Sequence, residues 1–410
     1  MLGAACSAVG AAPVPKAVPP KPGDRLAPWS PGALDIHHID TGAGNATFIL
    51  APDGTTILID CGAVAGGPAN APPRPSAARR PGEWVARYAL RQARAAGRNT
   101  LDYMVATHVH PDHVGSPGEG DPVAPDGVVL TGLSQVDALM PATVVIDRGF
   151  PSYEPVPLGS APFAANHLAW LTARIRSGRR VEQVQVGSAH QLCARMPGAF
   201  SVRFVGGDGR VWTGEDEASR ALFPPRAAWT AEARPEENHL SIAMVLSFGA
   251  FRYFAGGDLV ADTHDGAVPW LDVETPIVRA AGKVDVASAD HHGYFDADSP
   301  EFTRALDADV YVVQAWHATH PDMATLQRLS NAWTGRALRD VYITRLTAEN
   351  RMTNARFLPD VKSAEGHVVV RVQPDGHYRV LVTDSRDEAD SILHVGEVKV
   401  AGHTSRVAPP

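Results

Sequence analysis

The stretch THVHPDHVGS, residues 107–116, places three histidines and an aspartate within six positions. It follows LDYMVAT, an apolar run that reads as a strand. Side chains alternate along a strand, so His108 and His110 leave the strand end on the same side. Pro111 forces a turn, which sets Asp112 and His113 side by side at a helix entrance. Imidazole and carboxylate suit zinc, with iron or manganese as alternatives. Four such groups exceed what one ion needs, and they divide into two pairs, His108 with His110 and Asp112 with His113. The structural alternative is a polar turn of unliganded histidines, and the rest of the chain decides between them.

A two-metal site needs a bridging carboxylate and a further histidine from distant strands. FRYFAGGDL ends an apolar strand with Asp258, after glycines that let another backbone come close. VDVASADHHGYF ends another with Asp290, His291 and His292. Taken singly, an aspartate at a strand end is more often a helix cap, and a histidine pair more often lies on the surface. Together they complete the donor set.

Elsewhere strands and helices interleave. In the stretch 34–62, two apolar runs flank the turn PDG; GEWVARYALRQARAAG has helical spacing and a glycine stop. HLSIAMVLSFGAFRYFAGGDL reads as a hairpin turning at Ser247–Gly249, and HVVVRVQPDGHYRVLV as another. This pattern implies an α/β (α+β) fold of mixed sheets covered by helices. Residues 1–32 read as a disordered Pro- and Ala-rich leader, 33–385 as one domain with an insertion at about 117–236, and 386–410 as a tail. Long loops over a rigid site carry specificity, so the insertion is where a lid is expected. It holds Trp170, Trp212 and Trp229, which suit either a core or an aromatic cage.

The net charge of −8 argues against a protein that coats nucleic acid but leaves nucleic acid open as a substrate. Arg174, Arg176, Arg179 and Arg180 read as a solvated helix end. Three cysteines give no disulfide framework. Small residues before Cys6 and the Pro-rich tract after it resemble the end of a lipoprotein signal, so the expected location is secreted, lipid-anchored or cytoplasmic. No run approaches the roughly 18 apolar residues of a membrane span.

His108–His113 with Gly115, TILIDCG and FAGGDL resemble the motifs of the metallo-β-lactamase superfamily. The order IDTGAGNATFIL, ILIDCG, HVHPDHVG, ENHLSIAMVL, FAGGDL, ADHHGY is similar to the ComEC-type hydrolase branch and its secreted relatives, such as phosphorylcholine esterases. The resemblance implies an αββα sandwich of two mixed β-sheets flanked by helices. It implies His108 and His110 as ligands of a first metal, Asp112 and His113 of a second, and Asp258 as the bridge. His292 would be the remaining ligand and His291 an oxyanion stabiliser, with the two exchangeable. Asp60 would steady the histidine loop from behind. Asn238 fits the branch better than His239, which stands one residue off register. Asn45 and Ser116 depart from the family pattern near the mouth. His317 and His320 are open between substrate contact and packing.

Two cations, expected as Zn2+ with Mn2+ or Fe as alternatives, would hold a bridging water as hydroxide near neutral pH. No protein nucleophile is then required, which fits a chain with no G-x-S-x-G elbow. The expected activity is hydrolysis of a phosphodiester, in nucleic acid or in a phosphorylated headgroup. The alternatives are a carboxylic ester, lactone or β-lactam hydrolase, and a non-catalytic metal-binding module.

Overall fold

Alternation of apolar side chains along short strands builds the layers of the computed structural model, which describes residues 19–64, 71–330 and 338–402. The first sheet starts with β1 (Leu34–His38), β2 (Thr47–Leu50), β3 (Thr56–Ile59), β4 (Leu101–Val105), β5 (Ala142–Asp147) and β6 (Arg180–Gln183), side by side in chain order. The second comprises β7 (Ser201–Gly207), β8 (Arg210–Trp212), β9 (Ser219–Ala221), β10 (Ala243–Phe248), β11 (Phe251–Ala255), β12 (Val286–Ser288), β13 (Val310–Val313) and β14 (Asp340–Ile343). Its order is β14-β13-β12-β11-β10-β7-β8-β9. The chain then returns to the first sheet with β15 (His367–Val372), β16 (His377–Thr383), β17 (Ile392–Val395) and β18 (Lys399–Val400), and β15 pairs with β1. Both sheets are mixed: β3 to β6 run parallel, as do β11 to β14, and the remaining pairs are antiparallel.

Ile57 and Ile59 point into the core between the sheets, where they join Ile36, Met244, Tyr253 and Val312. Leu58, on the opposite face of the same strand, packs in the outer layer instead. The helices are α1 (Pro81–Ala93), α2 (Pro111–Val114), α3 (Gly132–Leu139), α4 (Pro162–Arg176), α5 (Glu274–Ala281), α6 (Pro300–Leu306), α7 (Met323–Ser330) and α8 (Ala348–Thr353). Val85, Leu133 and Leu171 bring α1, α3 and α4 onto the first sheet. Ile277, Phe302 and Leu326 bring α5, α6 and α7 onto the second. The architecture is therefore helix, sheet, sheet, helix, consistent with the metallo-β-lactamase fold.

Three segments depart from the sequence reading. Residues 19–32 are not a free leader: Gly23 N–H donates to Ile392 O at 2.8 Å, and Leu26 N–H to Asp390 O at 2.9 Å. Leu26 packs on Val369, Leu381 and Ile392, giving this segment an apolar anchor. The segment 386–402 is correspondingly no plain tail, because β17 and β18 both pair with β16. The stretch 117–236 supplies β5 to β9 together with α3 and α4, so it builds parts of both sheets and their cover rather than a lid alone. Cys6 lies outside the described residues. Among the described residues, no helix is long and apolar enough to cross a membrane.

Candidate metal centre

The candidate residues gather beyond the C-terminal ends of parallel strands, the edge where open α/β sheets present their loops. β3 runs into Asp60, β4 into His108, β11 into Asp258 and β12 into His291–His292. The loops before β2 and after β3 are laid directly against the histidine turn. Asn45 N–H donates to Asp112 O at 2.8 Å, Cys61 N–H to His113 O at 2.8 Å and Ala63 N–H to Pro111 O at 3.1 Å. Any side chain at Gly62 would collide with the Asp112 carbonyl, so only glycine permits this approach. The turn itself is loop rather than strand: β4 stops at Val105, and His110 precedes α2.

Asp60 fixes the orientation of that turn. One of its carboxylate oxygens accepts from Thr107 N–H at 2.8 Å. The other accepts from the Thr107 hydroxyl at 2.7 Å and from His113 Nδ1–H at 2.8 Å. Thr107 has spent its only proton on Asp60, so its oxygen is left to accept from His108 Nδ1–H at 3.1 Å. Both rings therefore carry a proton at Nδ1 and turn Nε2 inward. His292 is set the same way, donating Nδ1–H to Gln314 O at 2.9 Å.

Asp112, His113, Asp258 and His292 bring their donor atoms within 4.8 Å of one another, a grouping that could hold a metal ion. His292 Nε2 lies 2.9 Å from Asp112 Oδ2, and His113 Nε2 lies 3.0 Å from Asp258 Oδ1. His113 Nε2 and Asp258 Oδ1 are buried without a conventional hydrogen-bond partner, as expected of atoms that face a cation. Burial raises the Asp112 and Asp258 carboxyls, but neighbouring His113 and His292 outweigh it and hold both below the ordinary range. Burial lowers His113, but Asp258, Asp60 and Asp112 lift it well above the usual imidazole value. Such a ring holds a proton that a bound cation displaces.

Asp258 also faces the other half of the cluster, with Oδ2 at 3.8 Å from His108 Nε2 and 3.9 Å from His291 Nε2. His108 Nε2 and His110 Nδ1 are 3.1 Å apart. Asn238 Nδ2 stands 3.3 Å from His291 Nε2, whereas His239 Nδ1 accepts from Glu236 N–H within its own turn. His291 Nδ1 lies 2.7 Å from Asp296, and Asp258 and Asp296 raise the ring against the lowering effect of burial. Both His291 and His292 adopt left-handed backbone, φ 44° and 57°. For non-glycine residues this costs on the order of 1 kcal/mol each, and it aims two successive side chains at one site.

His320 stacks on His292 with ring centroids 4.7 Å apart, so it packs behind the cluster, while His317 is half-buried and turns to Thr319. The three tryptophans do not form a cage. Trp170 is buried in the layer beneath α4, Trp212 stacks on Arg203, and Trp229 lines a cavity beside His110. Sequence reasoning missed Thr107, Gln314, Glu237 and Arg148. Glu237 accepts from Val109 N–H at 2.8 Å, between the two first histidines, and fully buried Arg148 clamps its carboxylate at 2.6 Å. Thr107 directly precedes the motif and Glu237 directly precedes Asn238, the only local signals either residue offered.

Residues 39–130 match the family model described as the metallo-beta-lactamase superfamily, a span that includes Asp60 and the whole 108–113 turn. No curated protein matches the chain significantly. Among solved structures it is similar to CmlA, a diiron beta-hydroxylase from Streptomyces venezuelae (12% identity, 85% of this chain and 55% of that one, TM-score 0.40). It is similar also to a diphosphatase from the PhnP family (12%, 83% and 97%, TM-score 0.34) and to the short form of human tRNase Z (12%, 68% and 91%, TM-score 0.30).

Proposed function

We propose that the chain is a metal-dependent hydrolase of phosphodiesters, related to the ComEC-type branch, with two zinc ions as its cofactor. The observation that carries this reading is Asp258, whose two oxygens face His113 on one side and His108, His291 and His292 on the other. Asp112, His113 and His292 would hold one cation, His108 and His110 the other, and Asp258 both. When bound, such cations lower the pKa of water towards neutrality and polarise the substrate oxygen.

The protein's own groups do the rest. Asp60 and Gln314 hold His113 and His292 so that Nε2 faces inward in each, which spares reorganisation during turnover. His291, oriented by Asp296 at Nδ1, presents Nε2 where a substrate oxygen becomes negative. Asn238 holds that ring from the other side.

Purified protein should contain about two equivalents of zinc and turn over bis(p-nitrophenyl) phosphate. Asp112→Ala should lose metal and at least about a hundredfold in kcat/KM. Bound metal with no turnover of phosphodiester, ester or lactone probes would instead indicate a binding module. His292→Ala should release metal, whereas His291→Ala should keep it and lower kcat. The reverse pattern would exchange their roles.

A further inference from the structure

Beside His110 opens a cavity of about 670 Å3, within the size range of about 300–1,000 Å3 typical of small-molecule sites. Its walls come from residues 155–164 and 226–237, the two parts of the middle stretch that reach the candidate centre. Leu158, Phe163 and Trp229 give it apolar surface, and Arg226 and Arg234 give it charge. Phe163 meets the His110 ring edge-on at 6.4 Å, so cavity and metal cluster share one boundary. Trp229 is a fixed wall: it stacks on Trp270 and donates Nε1–H to Pro224 O at 3.0 Å.

The two arginines differ from others near the site. Arg148 is committed to Glu237 and also donates to Val156 O at 3.2 Å, tying the cavity wall to the histidine turn. Among the described residues Arg226 has only an exposed ion pair with Glu154 at 3.6 Å, a weak arrangement in water. Arg234 makes no ion pair among the described residues. Of the two acids lining the cavity, Glu237 is neutralised by Arg148, which leaves Glu236. Among the residues that line the cavity the surplus is positive, Glu154 being Arg226's exposed partner outside that lining, and guanidinium groups bind carboxylate or phosphate bidentately. Two arginines in one pocket do not form the extended cationic track a nucleic-acid strand requires.

We propose that this cavity receives the second arm of the substrate, a compact apolar or aromatic group bearing its own negative charge, held by Arg226 and Arg234. The inference rests on the hydrolase reading above and narrows it to small amphiphilic phosphodiesters. Three diesters test it, all sharing a p-nitrophenyl leaving group, with methyl, phenyl or para-carboxyphenyl as the other arm. With zinc-loaded protein, kcat/KM should rise by about tenfold from methyl to phenyl, as expected for about 1.4 kcal/mol of added apolar burial. It should rise again by at least about fivefold to carboxyphenyl, within what charge-assisted hydrogen bonds supply.

In the double variant Arg226→Ala/Arg234→Ala the carboxyphenyl-to-phenyl ratio should fall to about one. Ala161→Trp, at the half-buried cavity rim, should erase the phenyl-to-methyl ratio. Equal rates for all three diesters, or an arginine variant that slows all three alike, would overturn the proposal. If none is cleaved, calorimetry with phenyl para-carboxyphenyl phosphate separates the two readings. Binding lost in the double variant keeps the subsite and removes the hydrolase, and absence of binding removes both.

Discussion

Two groups of buried carboxyls lie on opposite sides of the β11 and β12 ends, and they behave in opposite ways. Asp112 and Asp258 face histidines and are held ionised. Asp290, Asp298 and Glu274 face one another: Asp290 N–H donates to Asp298 at 3.0 Å, and Asp298 N–H donates to Glu274 at 2.6 Å. Burial and mutual repulsion push Asp290 and Asp298 well above the carboxylate range, and burial lifts Glu274 to about 7. Arg328 opposes this only at Asp298. Neither Asp290 oxygen has a conventional partner, and any side chain at Gly256 would collide with its carboxyl. One group is arranged to meet positive charge, the other to keep its protons and fill space behind the His291–His292 bend. Residue type is the same in both; the neighbours decide which acid can work.

The same substitution on each side should therefore give opposite results, and this is the largest expected effect. Asp258→Asn removes the charge that His108, His113, His291 and His292 face. It should release metal and cost roughly 10³- to 10⁴-fold in turnover, about 4–5.5 kcal/mol. Asp290→Asn replaces a carboxyl that burial and its acidic neighbours favour in the protonated form, and should keep metal and activity within about threefold. Zinc content and bis(p-nitrophenyl) phosphate turnover of both variants decide it. Metal loss from Asp290→Asn would erase the contrast.

How far the contrast could be read from the sequence depends on the range of the signal. The 108–113 turn, Asp258 and the histidine pair carry their chemistry in adjacent residues, and alternation in TILID and VYVVQ reports which faces are buried. The structure brings His108, His110, Asp112, His113, Asp258 and His292 near one another, and the Asp60 carboxylate lies against His113. The middle stretch was harder to place. β5 and β6 extend one sheet and β7 lies inside the other, between β10 and β8, because of pairings with residues tens of positions away. Residues 19–32 look unstructured until their partners at 390–392 are known. Glu274 and Asp298 likewise carry no local mark: one lies in α5, the other precedes α6, and only the fold makes them neighbours.

Glu237 sharpens the comparison with a third way to keep a buried acid, a dedicated cation. Arg148 is fully buried, grips Glu237 through two nitrogens and lies 3.3 Å from Asp208. Arg148→Ala strands that charge and should cost about 3–5 kcal/mol of stability, read from urea denaturation midpoints. Adding Glu237→Gln should recover part of the loss, since the stranded charge is then gone. A double variant less stable than Arg148→Ala would show that Glu237 acts mainly through Val109 rather than through Arg148.

The smallest effect concerns the proton on Glu274, and its sign follows from the raised value. The unfolded carboxyl titrates near its ordinary 4.5 and the folded one near about 7. Between those values the folded state holds a proton that the unfolded state has released, so stability falls as pH rises through the window. Asp112 and Asp258 work the other way, since their depressed values give stability that is lost only as pH falls below about 4. Glu274→Gln removes the first term, along with the repulsion that Glu274 exerts on Asp290 and Asp298. Its amide meets one of the two backbone N–H groups, from Asp298 or Ser299, that the carboxyl accepted, which adds a cost independent of pH. Titration of the metal cluster cancels between wild type and variant. The stability advantage of wild type should therefore shrink by on the order of 2 kcal/mol from pH 4.5 to pH 7 and stay level above that. An advantage constant across this range would mean that Glu274 is ionised in the fold, and the opposition between the two acid groups would end there.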